Sequence, residues 1–420
     1  MKILSARLID QTVEVVEELL KFTQPADATL SRFFRARHCG SSERAFIAEA
    51  AYAVLRRMRS LAAWIGGAPD ARRLTLAALV RHGGISLRLL EPALAESERQ
   101  WLADLKARAD AALDFGAQTD LPDWLIERLR AQMSDEALLK LARALNQPAP
   151  LDLRVNILKT RRADALARLN ADGITARACP YAPAGIRVSG KPSLAKHPLF
   201  LDGSLEVQDE GSQLLGHLVA PKRGEMVVDF CAGAGGKTLL LGALMRSTGR
   251  VYAFDVSARR LAKLQPRLAR SGLSNVHPVV IDSENDVHIK RLSGKCDRVL
   301  VDAPCSGLGV LRRNPDLKWR LKPQDIAELT VKQAAILASA ARLLKPGGRL
   351  VYATCSLLAE ENTAIVTAFL ATHPDFVRRH AGEILAAQGI RLDQAGEDLH
   401  LLPDVHETDG FYAAVLERAR

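Results

Sequence analysis

Between residues 226 and 354, short apolar runs alternate with segments of helix length, and four of the runs end on an aspartate. The four are Met226 to Asp229, Val251 to Asp255, Pro278 to Asp282 and Arg298 to Asp302. A fifth, Arg349 to Thr354, follows Lys345-Pro346-Gly347-Gly348. Apolar strands joined by helices predict a mostly parallel, doubly wound α/β sheet. Ligands bind such a sheet beyond the carboxyl ends of its strands, where these aspartates stand. Gly410 to Leu416 reads as a closing strand.

At 420 residues the chain suits two or three domains. Residues 1–140 are rich in Ala, Leu and Arg. Val13, Val16, Leu19 and Leu20 recur at helical spacing, as do Phe46, Ala50 and Leu55, and Ser41-Ser42-Glu43 supplies a helix start. This region predicts an all-helical domain. Residues 145–205 predict a small α/β module: a strand over 151–158, a helix over 163–170, and strands over 174–188 around a Pro-Ala-Gly turn. The sheet domain occupies 206–420.

The balance of 58 Lys and Arg against 48 Asp and Glu gives a net charge of +10, which suits a polyanionic partner. Arg32, Arg35, Arg37, Arg44, Arg56, Arg57 and Arg59 either face such a partner or form a solvated helix face. The first residues lack a signal peptide pattern, and no run reaches the ~20 apolar residues of a membrane span. A soluble, cytoplasmic monomer is expected. The six cysteines include no Cys-x-x-Cys pair, so neither a zinc ribbon nor a disulfide framework is expected.

After the first strand comes Cys231-Ala232-Gly233-Ala234-Gly235-Gly236-Lys237-Thr238. Its glycines admit close approach of a ligand and a sharp turn into a helix. Asp255 stands about twenty residues on, at the next strand end, placed for ribose hydroxyls. Position 238 is Thr, which breaks a Gly-x-Gly-x-x-Gly fingerprint, and the spacing before Gly236-Lys237 is wrong for a Walker loop. Acids at successive strand ends fit a ribose and a purine better than a pyrophosphate, pointing to S-adenosylmethionine.

Two further strand ends carry thiols: Asp302-Ala303-Pro304-Cys305-Ser306-Gly307 and Ala353-Thr354-Cys355-Ser356. Neighbouring strands bring both to one edge. Carbon 5 of cytosine is too weak a nucleophile to take a methyl group directly, but thiolate addition to carbon 6 turns it into an enamine that can. Such a thiol needs a helix N-terminus or a nearby cation. Asp302 can hold the cytosine edge. The competing reading makes both cysteines packing residues. No His neighbours Cys231, Cys305 or Cys355 at ligand spacing, so no metal is expected.

These motifs, with Arg154-Val155-Asn156 and Val207-Gln208-Asp209-Glu210-Gly211-Ser212, resemble the Sun/Fmu (RsmB-like) family of RNA cytosine-5 methyltransferases over residues 150–420. The resemblance implies a class I, Rossmann-like, S-adenosylmethionine-dependent domain acting on RNA, small-subunit ribosomal RNA being the family's suggestion. It implies Cys355 as nucleophile, Cys305 as helper in product release, and Asp302 in the site. It places the cofactor against Cys231, Ala232, Gly233, Ala234, Gly235, Gly236, Lys237, Asp255, Asp282 and Asp302. The family loop usually reads Ala-Pro where this chain has Gly233-Ala234. The segment Glu43 to Arg57 resembles a helical NusB-like domain, which implies RNA binding, and the small module is implied to contact RNA through Arg154 and Asn156. Pro304, Arg312, Arg313 and Lys318, on or after the Pro-Cys loop, are expected to meet RNA; Trp319 stacks a base or packs in the core. Rival readings are a non-catalytic RNA-binding assembly factor on the same scaffold, a cytosine-5 methyltransferase of tRNA, and a nicotinamide-dependent dehydrogenase, the last disfavoured by the loop.

Overall fold

The computed structural model describes residues 4–108, 113–190, 192–392 and 396–420. They divide into two units: residues 1–148 with 310–322, and residues 149–309 with 323–420.

The first unit is helical among its described residues. Helices Ala6–Leu19, Ala26–Ala36, Ser41–Arg56, Met58–Ile65 and Ala71–Arg81 open it. In Ser41–Arg56 the buried positions Ile47, Ala50, Ala51, Val54 and Leu55 follow one face of a 3.6-residue repeat. That face joins Val15, Val16, Leu61 and Leu76 in one core. Glu43 completes the expected helix start by accepting from the Gly40 N–H at 2.8 Å. Residues 310–322 are anchored in this unit by distant polar contacts. Lys318 Nζ donates to Arg56 O at 2.8 Å and Asn146 Oδ1 at 2.9 Å, and Trp319 Nε1 donates to Leu55 O at 2.7 Å.

The second unit holds two sheets. The smaller is antiparallel and uses β1 (Leu151–Val155), β2 (Ala176–Ala178), β3 (Gly185–Val188) and β4 (Leu205–Val207) in the order β2-β3-β1-β4. The helix Arg162–Ala171 contributes Ala165 and Leu169 to its core. Arg187 of β3 is buried, with Nε 2.7 Å from Asp152 Oδ1 and Nη2 3.5 Å from Glu210 Oε2.

The larger sheet uses β5 (Met226–Asp229), β6 (Arg250–Asp255), β7 (Val276–Val280), β8 (Cys296–Asp302), β9 (Leu344–Thr354), β10 (Phe376–Arg379), β11 (Leu399–Leu401) and β12 (Phe411–Arg418). Its order is β10-β12-β9-β8-β5-β6-β7, with β11 on β12. Strands β5 to β9 pair in parallel; β12 closes antiparallel on β9. Successive residues face opposite sides. Val227, Leu300 and Val351 enter one core with helices Glu210–Val219 and Gly236–Leu244; Val228, Val299 and Tyr352 enter the other with Pro323–Ala341. Burial on both faces is why these strands read as unbroken apolar runs.

Candidate active site

The parallel strands all end on one side of the sheet, and the turns that follow β5, β6, β8 and β9 enclose a cavity of about 410 Å³. Phe230, Val256, Ile281 and Pro304 supply apolar wall; Asp255 and Asp302 bring carboxylates and Cys231, Cys305 and Cys355 thiols.

After β5 the chain turns through Gly235, whose φ of +80° is left-handed, into the helix Gly236–Leu244. A side chain there would strike Leu264 at 2.2 Å. Gly233 N–H donates to Asp255 Oδ2 and Ser257 N–H to Asp255 Oδ1, both at 2.8 Å, so the turns after β5 and β6 share one buried carboxylate. The loop is braced from its carbonyl side: Arg267 donates to Ala234 O at 2.5 Å and Arg154 to Gly236 O at 2.6 Å.

Beneath the loop, Thr238 Oγ1 donates to Asp229 Oδ2 at 2.6 Å, while Asp229 Oδ1 is buried without a partner. Burial pushes the Asp229 carboxyl up to about 7, with the Thr238 hydrogen bond opposing. Lys237 Nζ lies 2.7 Å from Asp302 Oδ2. Burial pulls its ammonium down, but Asp302, Asp229 and Cys355 outweigh that and hold its titration above the ordinary lysine value. The cation is therefore fixed on Asp302, a residue of the cavity wall.

The two cysteine turns meet. Cys305 Sγ lies 3.3 Å from Cys355 Sγ and accepts the Cys355 N–H at 3.3 Å. Both thiols are partly exposed. The hydrogen bond to Cys355, then burial, then the nearby charge of Glu361 hold the Cys305 thiol well above its usual range. The approach requires Gly309, whose N–H donates to Cys355 O at 2.8 Å and where a Cβ would fall 2.1 Å from Gly410 O.

Of the residues singled out in the sequence, Cys231, Asp255, Asp302, Pro304, Cys305 and Cys355 line this cavity, and the stretch Ala232 to Lys237 forms the turn beside it. Asp282 does not line it. It is exposed, its N–H donating to Asp286 Oδ2, and Ile281 and Glu284 form the wall at that strand end.

Several expected RNA contacts point inward. Lys318 is 1% exposed, with both its carbonyl partners in the helical unit, so it is not available to phosphate. Arg154 is buried and also donates to Gln208 Oε1; Asn156 is buried, donating to Gly203 O and Ser271 O. Both hold turns rather than face solvent. Arg312 is buried too, and Arg313 half-buried. Trp319 is half-buried, outside the core, with its indole N–H committed to Leu55 O.

Sequence reasoning missed the apolar wall and a buried glutamate, Glu361, behind the cysteines. Glu360 and Glu361 look alike in sequence, and only the fold separates the buried one. Among the described residues, the group close enough to share a metal is Asp152, Cys179 and Glu210. Its carboxylates already neutralise Arg187.

Residues 216–417 match the family model for 16S rRNA methyltransferase RsmB/F, and residues 121–195 that for a Methyltr_RsmF/B-like, ferredoxin-like domain. A protein of Synechocystis sp. named "Probable ribosomal RNA small subunit methyltransferase B" is 37% identical over 73% of this chain and 69% of its own length. A Bacillus subtilis protein of the same name is 32% identical over 80% of this chain and 75% of its own. The crystal structure of a methyltransferase homolog protein from Pyrococcus horikoshii superposes with a TM-score of 0.62 at 33% identity, covering 74% of this chain and all of that one. With strand ends, Gly-rich turn and paired thiols in place, this chain belongs to the RsmB/F family of 16S rRNA methyltransferases.

Proposed function

We propose that the chain methylates carbon 5 of a cytosine in small-subunit ribosomal RNA, with Cys355 as nucleophile and S-adenosylmethionine as methyl donor. The observation that carries this reading is the pair of thiols 3.3 Å apart on the wall of a cavity that also contains Asp255 and Asp302.

The residues present suit the cofactor. Asp255 keeps acceptor capacity for ribose hydroxyls, and Val256, Ile281 and Phe230 offer apolar surface for a purine. When bound, S-adenosylmethionine supplies an electrophilic methyl group.

The protein's own part follows from its geometry. The Lys237 ammonium gives a Cys355 thiolate its counter-charge. The Cys355 sulfur adds to carbon 6 of the cytosine, and the electron pair released into the ring makes carbon 5 the attacking atom. Asp302, fixed by Lys237, holds the base edge. After methylation the carbon 5 proton passes to a water molecule, the C–H electron pair re-forms the 5,6 double bond, and the Cys355 sulfur is expelled as a thiolate. Cys305, beside the leaving sulfur, assists that release. The protein works as a cytoplasmic monomer, where its thiols stay reduced.

The test uses ribosomal small subunits lacking the modification and methyl-labelled S-adenosylmethionine. Wild type incorporates label as 5-methylcytosine. Cys355→Ala loses turnover by at least about a thousandfold and forms no covalent RNA adduct, whereas Cys305→Ala accumulates one. An adduct in Cys355→Ala, with none in Cys305→Ala, assigns the roles the other way and overturns this reading.

A further inference from the structure

Each active-site cysteine is followed by a serine, Ser306 after Cys305 and Ser356 after Cys355, and one carboxylate holds both serines. Glu361, on the single turn Ala359–Glu361 just beyond the second cysteine, is fully buried. Its Oε1 accepts the Ser306 N–H at 2.8 Å and Gln333 Nε2 at 2.9 Å. Its Oε2 accepts the Ser306 hydroxyl at 2.5 Å and also the Ser356 hydroxyl. Gln333 in turn donates to Pro304 O at 3.0 Å, so the residue before Cys305 is tied to the same centre. The turn is pinned from its own side as well: the Tyr352 hydroxyl donates to Glu361 O at 2.7 Å, and Asn362 Nδ2 to Ser356 O at 3.0 Å.

Among the described residues no cation pairs with this carboxylate. A buried carboxylate satisfied wholly by neutral donors is costly to desolvate. Where a fold keeps one, its directionality is the asset: each donor is fixed in angle as well as distance. Here the two serines follow the ends of two different strands, β8 and β9, and Gln333 comes from the helix Pro323–Ala341. Without the carboxylate the two serines keep a hydroxyl contact of 3.1 Å, and the turns keep the Cys355 N–H to Cys305 Sγ bond and the more distant Gly309 N–H to Cys355 O bond.

We propose that Glu361 is the positioning residue for the two-thiol step, holding the Pro-Cys and Thr-Cys turns at the spacing that lets Cys305 act on the Cys355 adduct. This rests on the cysteine roles given above. Glu361 lies behind the sulfurs and does not touch the base. Its loss leaves Cys355 able to add to the ring and slows the later release.

The experiment separates these steps and also tests the spacing without RNA. In the free protein, diamide, a diazene oxidant, takes two hydrogens from the two thiols, is itself reduced to the hydrazine, and leaves a Cys305–Cys355 disulfide read as a 2 Da mass loss. Glu361→Ala is expected to form it at least tenfold more slowly than wild type. With RNA and S-adenosylmethionine, Glu361→Ala is expected to form the covalent adduct within about threefold of the wild-type rate but release product at least tenfold more slowly, so that adduct accumulates. Glu361→Gln should restore both, since its amide oxygen serves the two N–H donors and its amide N–H groups meet hydroxyls that can rotate to accept. Should Glu361→Ala not fold, Ser306→Ala removes the Cys305 arm alone and is expected to slow coupling and release in the same sense.

Equal loss of adduct formation and release in Glu361→Ala, or wild-type coupling by diamide, overturns the proposal. Failure of the cysteine assignment shows itself elsewhere, in turnover by Cys355→Ala, and leaves the diamide result standing as the measure of Glu361.

Discussion

At the scale of single residues, the least comfortable group in the catalytic unit is Asp229. It ends β5 with one oxygen on Thr238 and the other on nothing, and burial lifts its carboxyl to about 7. In the unfolded chain the same group titrates near 4. The folded state thus holds a proton that the unfolded state releases, and stability falls as pH rises from about 4 through about 7. Asp229→Asn cannot ionise. Its urea midpoint, measured on the cofactor-free protein, should exceed that of wild type by an amount that grows from pH 5 to pH 7 and then levels. A difference independent of pH would contradict the assignment. Residues also show where sequence reading stopped. The thiols, Asp255, Asp302 and the Gly-rich turn were legible because each sits at a strand end, and strand ends follow from local pattern. Lys318 was not, because the carbonyl it serves belongs to Arg56, 262 positions away. A basic side chain after a catalytic loop reads as a phosphate ligand until its distant acceptor is known.

At the scale of elements, β5, β6, β8 and β12 fall within a residue or two of their expected ranges. Two strands deviate for physical reasons. β7 runs Val276–Val280 rather than from Pro278, because it is the edge strand of the sheet and an edge tolerates proline in mid-strand. The shift leaves Asp282 beyond the strand and outside the cavity. β9 begins at Leu344, so Lys345-Pro346-Gly347-Gly348 lies inside a strand that the sequence suggested it precedes. In the small sheet, Arg187 is shared by Asp152 of β1 and Glu210 of the helix Glu210–Val219. Neither carboxylate has another cation within salt-bridge distance among the described residues. Arg187→Met leaves two acids buried and should cost about 3–5 kcal/mol in urea unfolding at pH 7. A loss under about 1 kcal/mol would mean that the ion cluster is not what ties β1 and β3 to that helix.

At the scale of the whole molecule, the chain does not pass through its two units once each. It leaves the second at Gly309, contributes residues 310–322 to the helical unit, and returns at Pro323. That excursion was invisible in the sequence, where the segment lies in the middle of the α/β pattern. A fragment of residues 149–420 would carry Lys318 and Trp319 without Arg56, Asn146 or Leu55 to receive them. Limited trypsin digestion should cut such a fragment within 310–322 at least tenfold faster than it cuts the full chain there. Equal protection would show that the segment holds its shape unaided.

The same excursion bears on how the protein is made. The amino-terminal helices emerge first, yet the segment whose Lys318 and Trp319 satisfy carbonyls among them is about 170 residues further along the message. At roughly 5–20 residues per second, they wait on the order of 9–35 s for it. Cotranslational folding of this domain therefore finishes late, after much of the α/β sheet has been synthesised, and an amino-terminal nascent chain stalled before residue 310 is a natural client for chaperones.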